Sequence, residues 1–157
     1  MQIVRIDGIV PGRQATEVYE TVIDFGRYVE LVETVREIEI EPAAADGSVV
    51  SHWAVNFRNG ILRWTELDEF DRDGLVSRFT QTAGDFETFA GEWRVSQEGD
   101  DVAVSFHAEF DFGVPTLASI IDPVAIRVLT ESMKDILTGL FDGTVEFLPP
   151  RLPAGVR

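Results

Sequence analysis

The sequence predicts an α+β fold: a curved antiparallel sheet of seven strands wrapped around one long C-terminal helix, with two short helices after the first strand. Three observations predict it. Residues 48–112 alternate apolar and polar side chains in runs separated by turn-forming pairs. Residues 116–142 carry apolar side chains at helical spacing. No repeat or linker divides the chain of 157 residues, enough for one domain with a core of its own. A sheet curled over one helix leaves space between the two layers that side chains need not fill. That is the layout of a small-molecule pocket.

The elements follow in order. Gln2–Val10 puts Val4, Ile6 and Val10 on one face of a first strand, which Pro11-Gly12 ends. Ala15–Ile23 places Val18, Val22 and Ile23 at helical spacing, and Phe25–Leu31 reads as a second short helix. Arg36–Ile40 alternates again before Pro42 and Asp46-Gly47. Ser48–Arg58 and Ile61–Asp71 are long strand patterns around Asn59-Gly60, a type I′ hairpin signature. Leu75–Thr82, Phe86–Gln97 and Val102–Phe112 complete the sheet. Asp122 before Pro123 reads as an N-cap and first helical residue, so the helix is expected over about 123–141, with Leu117–Ile121 a separate turn. Leu129, Met133, Ile136, Leu137 and Leu140 form its apolar face. Residues 1–145 are expected to be the ligand-binding domain and 146–157 a proline-rich tail.

Composition narrows the function. The formal charge is −15, from 28 acids and 13 bases, and such a field repels phosphate backbones and anionic membranes. Nucleic-acid partners are therefore not expected. No apolar run approaches the ~18 residues of a membrane span. Arg5 and Asp7 interrupt the N-terminal apolar stretch, which reads as a strand rather than a signal peptide, so a cytoplasmic protein is expected. The absence of cysteine removes thiol nucleophiles, thiolate metal sites and disulfides.

With Asn59-Gly60 as the loop, Phe57 neighbours Leu62, Val55 neighbours Trp64 and Trp53 neighbours Glu66. One face then carries Ser51, Trp53, Val55 and Phe57 with Leu62, Trp64, Glu66, Asp68 and Phe70. This is the aromatic face, so it is expected toward the helix. The same parity selects Leu75, Phe79 and Gln81, then Phe89, Gly91, Trp93 and Val95. In the last strand it selects Val102, Val104, Phe106, Ala108, Phe110 and Phe112. Candidate ligand contacts are Trp53, Val55, Phe57, Leu62, Trp64, Phe79, Gln81, Phe89, Trp93 and Phe106, with Leu129 and Met133 from the helix. Plain core packing is the alternative for these residues.

Glu66 and Asp68 are the candidate catalytic groups. An unpaired inward carboxylate is costly and its pKa rises, a state often tied to function. The alternative is that they lie near the strand end, reach water, or pair with an arginine such as Arg36. His52 and His107 share outward parity on distant strands, so no histidine triad or metal site is expected, and no cofactor. The string Gly84-Asp85-Phe86-Glu87-Thr88-Phe89-Ala90-Gly91 lacks the strand–turn–helix setting of a nucleotide loop, and no serine sits in a nucleophile elbow.

Several strings resemble the START/Bet v1-like superfamily, in its polyketide cyclase/dehydrase and lipid-transport branch. They are Val10-Pro11 with Glu17-Val18-Tyr19, Asp24-Phe25-Gly26-Arg27-Tyr28, Leu62-Arg63-Trp64, Gly91-Glu92-Trp93-Arg94-Val95 and Glu109-Phe110-Asp111-Phe112. The resemblance covers nearly the whole chain and implies a helix-grip fold with a cavity for lipids, quinones, hormones or polyketides. Beside bacterial aromatase/cyclases of aromatic polyketide pathways, Tyr28 falls at a pocket tryptophan, and Leu62 and Trp64 fall on a Trp-x-Trp strand. The resemblance also shows departures: Val35 falls at the cyclases' tyrosine, and Asp68 and Phe79 fall near their pocket arginines.

Two functional readings stay open. One is a lyase-type cyclase or dehydratase that folds a polyketide-type chain against Trp53, Trp64 and Phe79. Glu66 or Asp68 would act as base and then acid, and Tyr28 would hydrogen-bond a carbonyl. An acyl carrier protein is a candidate partner for this reading. The other is a carrier or chaperone for a lipid, quinone or finished polyketide, without chemistry. The sequence leaves the ligand and the oligomeric state open.

Overall fold

The computed structural model of the protein describes residues 1–57, 60–113 and 115–149, with the side chains of 115–122 left out. Among them the elements are β1 (Gln2–Pro11), α1 (Ala15–Val22), a 3-10 turn (Phe25–Arg27) leading into α2 (Tyr28–Leu31), β2 (Val35–Ile40), β3 (Val49–Phe57), β4 (Gly60–Asp71), β5 (Val76–Gly84), β6 (Thr88–Glu98), β7 (Asp101–Asp111), α3 (Pro115–Leu140) and β8 (Glu146–Phe147). The sheet is antiparallel in the order β2-β3-β4-β5-β6-β7-β1-β8. Strand β1 pairs with β7, and the chain then reaches the opposite edge at β2 through α1 and α2. Helix α3 packs on β1, α1 and α2.

The expected fold class holds, with an eighth strand added. Glu146 and Phe147 pair with Ile9 and Gly8, and the Leu148 N–H donates to the Asp7 carbonyl at 2.8 Å. The chain just past α3 is thus held to the sheet, while the proline-rich residues 150–157 lie outside the described residues.

Two local expectations are corrected. The β3–β4 register pairs Phe57 with Gly60, Val55 with Leu62, Trp53 with Trp64 and Ser51 with Glu66. Gly60 is therefore a strand residue without a positive φ, and the connection is at 58–59, outside the described residues. The pairing slides by two residues along the partner strand, an even step, so every side chain keeps its predicted face. Ser51, Trp53, Val55, Leu62, Trp64, Glu66 and Asp68 are all buried.

The helix begins at Pro115 rather than after Asp122, and Pro123 lies inside it. A proline fits the first helical turn, where its missing N–H has no intrahelical partner. Pro115 meets that condition. Pro123 removes one internal bond, a cost that the packing of α3 offsets. The apolar face is as expected: Leu129, Met133, Ile136, Leu137 and Leu140 are buried. Ser132, also buried, bonds the Thr34 hydroxyl at 2.8 Å, and Gly139 leaves room for Leu31, which an added Cβ would meet at 3.1 Å. These contacts fix α3 beside α2.

Tyr19 ties the other helix to the sheet. It is fully buried and donates its hydroxyl proton to the Val76 carbonyl at 2.8 Å.

Candidate functional site

Strands β3 and β4 supply one polar strip on the inner face. Side chains two apart on a strand share a face, so Ser51 and Trp53 stand beside Trp64, Glu66 and Asp68. The two indoles stack, with ring centroids 5.7 Å apart and planes 8° from parallel. The Trp53 N–H donates to Ser51 Oγ at 2.8 Å, and Ser51 O–H donates to Asp68 Oδ2 at 2.5 Å. The Trp64 N–H donates to Glu66 Oε1 at 2.8 Å. A β-bulge lies beside Glu66: Thr65 pairs with Ala83 but Glu66 pairs with Gln81. Bulges commonly re-aim a side chain next to a site.

Both carboxyls are buried, Glu66 with 4% exposure and Asp68 with none. They do not reach water at a strand end. Arg36, the sequence's candidate partner, is exposed, and the ion pairs among the described residues join other, surface groups. Burial therefore pushes the Glu66 pKa well above its ordinary value, and the neighbouring Asp68 adds to the rise while the Trp64 N–H opposes it. Burial also raises Asp68, against the hydrogen bonds from Glu66 and Ser51. Asp68 Oδ1 finds no N–H or hydroxyl donor among the described residues. Of the two carboxyls Glu66 is pushed up further, so it is the one that holds a proton more tightly, and the two titrate as a pair.

Glu66 lies on the wall of a cavity between sheet and helix. Of the candidate ligand contacts, Trp53, Phe79, Phe89, Trp93, Phe106 and Met133 line it, as do Tyr28 and Phe25. Val55, Phe57, Leu62, Trp64, Gln81 and Leu129 do not line it. Val55, Leu62 and Leu129 are core, and Trp64 packs edge-on against Phe86 and Phe89. Gln81 donates to the Phe86 carbonyl at 2.8 Å. The cavity is nearly closed: about 20 Å³ admits the centre of a water-sized sphere, room for about one water. A larger hollow of about 370 Å³ opens on the outer face around His52, Arg63, Thr65 and Asp85, away from the carboxyl pair.

Tyr28 is buried, and its hydroxyl donates to the Val22 carbonyl. Its one proton is committed there, so it meets the cavity as a ring. Burial, with Glu66 the next cause, raises its pKa well above the ordinary value. Phe25 escaped the sequence reading because it sits on a 3-10 turn, where neither strand parity nor helical spacing marks a face. It packs against Tyr28 and Trp53 at 5.6 and 5.7 Å between ring centroids.

His52 lies on β3 and His107 on β7, with three strands between them. No group of three histidine, cysteine or acidic residues among those described is arranged to hold a metal ion. Nor is any described helix long and apolar enough to cross a membrane.

The fold has solved counterparts. TTHA0849 from Thermus thermophilus matches with a TM-score of 0.79 at 22% identity, over 91% of this chain and 97% of that one. The Zhui aromatase/cyclase from Streptomyces sp. R1128 matches at 0.68 and 14% identity, over 91% and 94%. A START superfamily protein from Mycobacterium smegmatis matches at 0.70 and 14%, over 89% and 94%. At these identities the likeness is one of fold. No curated protein sequence matches the chain closely. The family model described as polyketide cyclase / dehydrase and lipid transport matches residues 12–137, most of the sheet and nearly all of α3, and the chain belongs to that family.

Proposed function

We propose that the protein is a polyketide cyclase/aromatase-like enzyme. It encloses a hydrophobic, polyketide-type ligand between sheet and α3 and promotes cyclisation and dehydration. The observation that carries this reading is the buried Glu66–Asp68 pair at the wall of an aromatic cavity. Two neighbouring acids with raised pKa values can supply both halves of a dehydration: an ionised carboxylate takes a proton from carbon, and a protonated carboxyl gives one to the departing hydroxyl. The aromatic wall holds the chain so that reacting carbons meet.

A non-catalytic carrier for a lipid, quinone or finished polyketide is the second reading. The committed hydroxyl of Tyr28 favours it, because the cavity then has no phenolic donor for a ligand carbonyl. A chain delivered by an acyl carrier protein is less favoured than a free ligand. Arg5, Arg13 and Arg63 are spread over the surface, and each already pairs with an acid.

Native mass spectrometry of protein from its producer identifies the ligand, and turnover of that ligand decides between the readings. The enzyme reading expects Glu66→Gln with Asp68→Asn to lower turnover by about 10²–10⁴. Unchanged turnover in the double variant, or no turnover in the native protein, leaves the carrier reading.

A further inference from the structure

The cavity wall is chemically lopsided. Phe25, Tyr28 and Trp53 meet on one side, and Phe79, Trp93 and Phe106 on the other. Within the first group the ring centroids are 5.6–5.9 Å apart. Among the described residues, Glu66 is the only charged or ionisable side chain on this wall besides the Tyr28 phenol, and Asp68 stands behind it. No described lysine, arginine or histidine lines it. The faces of aromatic rings carry partial negative charge and attract cations. No ion pair among the described residues reaches either carboxyl, so a negative charge on the pair meets no counter-ion there.

The carboxyl pair also limits what a neutral ligand can do. Asp68 Oδ1 has no donor among the described residues. A ligand carbonyl only accepts, so it adds no donor beside that oxygen, which stays buried and unsatisfied at the cost of desolvation. An ammonium group reverses the position. It brings donors and a positive charge to Glu66 on the wall, and that charge offsets a negative charge on the pair inside a ring-lined box.

We propose that this cavity selects a ligand bearing an ammonium group on an apolar, ring-containing body. The inference rests on the reading that the sheet–helix cavity is the ligand site, and it specifies the ligand's charge. Binding couples to protons in a defined direction. The free protein holds a proton on the acid pair more tightly than an ordinary carboxyl would. A cation beside the pair favours its ionised form, so binding releases protons, and affinity rises with pH while the pair titrates.

The test compares 2-phenylethylammonium with its neutral counterpart 2-phenylethanol by titration calorimetry at pH 7 and physiological salt, in two buffers of different ionisation enthalpy. The expected result is at least tenfold tighter binding of the ammonium compound, with a buffer-dependent heat that reports proton release. The alcohol should show no such heat. Glu66→Gln, close in shape to the native residue, should erase the preference, and Asp68→Asn should reduce it. Equal or tighter binding of the alcohol overturns the charge inference and leaves the cavity reading standing. Failure of both compounds to bind overturns both. Survival of the preference in Glu66→Gln also overturns the inference, because the ammonium compound is then held by the acidic surface.

Discussion

Trp53 and Trp64 stack face to face across β3 and β4, yet their indole N–H groups serve different acceptors, Ser51 and Glu66. The pair is a hinge between two environments. Trp53 lines the cavity, while Trp64 fits among Phe86, Phe89 and the carboxyl pair.

Ligand-induced fluorescence quenching should therefore divide unevenly among the tryptophans. Trp53→Phe and Trp93→Phe are each expected to remove part of the quenching by an apolar ligand, since both line the cavity. Trp64→Phe should leave most of it. The opposite ranking would place the ligand elsewhere.

The acid pair makes stability depend on pH with a definite sign. Glu66 and Asp68 have folded pKa values above their ordinary ones. The folded state thus holds protons more tightly, and stability falls as pH rises above the unfolded values of about 4, levelling off past the folded values. Glu66→Gln should flatten that fall and be neutral or stabilising near pH 7, because the amide carries no charge to desolvate and its oxygen can still accept from Trp64. Glu66→Ala should instead destabilise by about 1–3 kcal/mol, leaving the buried Trp64 N–H without its acceptor. Urea unfolding between pH 4 and pH 8 measures both.

Gly91 is the point on β6 where the aromatic wall comes closest to the backbone. An added Cβ would meet Phe79 Cζ at 2.7 Å and would overlap the His107 carbonyl oxygen. Gly91→Ala is expected to cost about 1–3 kcal/mol by overpacking and to displace Phe79 from the cavity wall. Denaturant unfolding and ligand affinity should change together.

Tyr19→Phe deletes one buried hydroxyl and keeps the ring. It should cost about 1 kcal/mol, the usual value of a buried neutral hydrogen bond, without affecting the cavity, since Tyr19 does not line it. A change in ligand affinity would contradict this separation of anchor and site.

What the sequence disclosed and what it hid differ in kind. Face assignment was legible because strand parity survives a register error of two, which is why Trp53, Glu66 and Asp68 were placed inward despite the misplaced turn. The start of α3 was not legible, because Pro115 and Pro123 each satisfy the local rule for a first helical residue and only packing chooses between them. The cavity wall was legible only in part. Parity says that Val55, Leu62 and Trp53 share a face, but which of them borders a void depends on rotamers and on Phe25, carried by a turn with no period.

Space for a single water has a kinetic consequence. Any ligand larger than that enters only after the layers part, so association is two events in series, an opening and a capture. At low concentration the observed rate grows with ligand. At high concentration it levels at the opening rate, whatever compound is offered, and rapid mixing with chemically unlike ligands should reach one common plateau. Residence time is then set as much by reopening as by contact energy, a trap that holds modest ligands long after equilibrium affinity alone would release them.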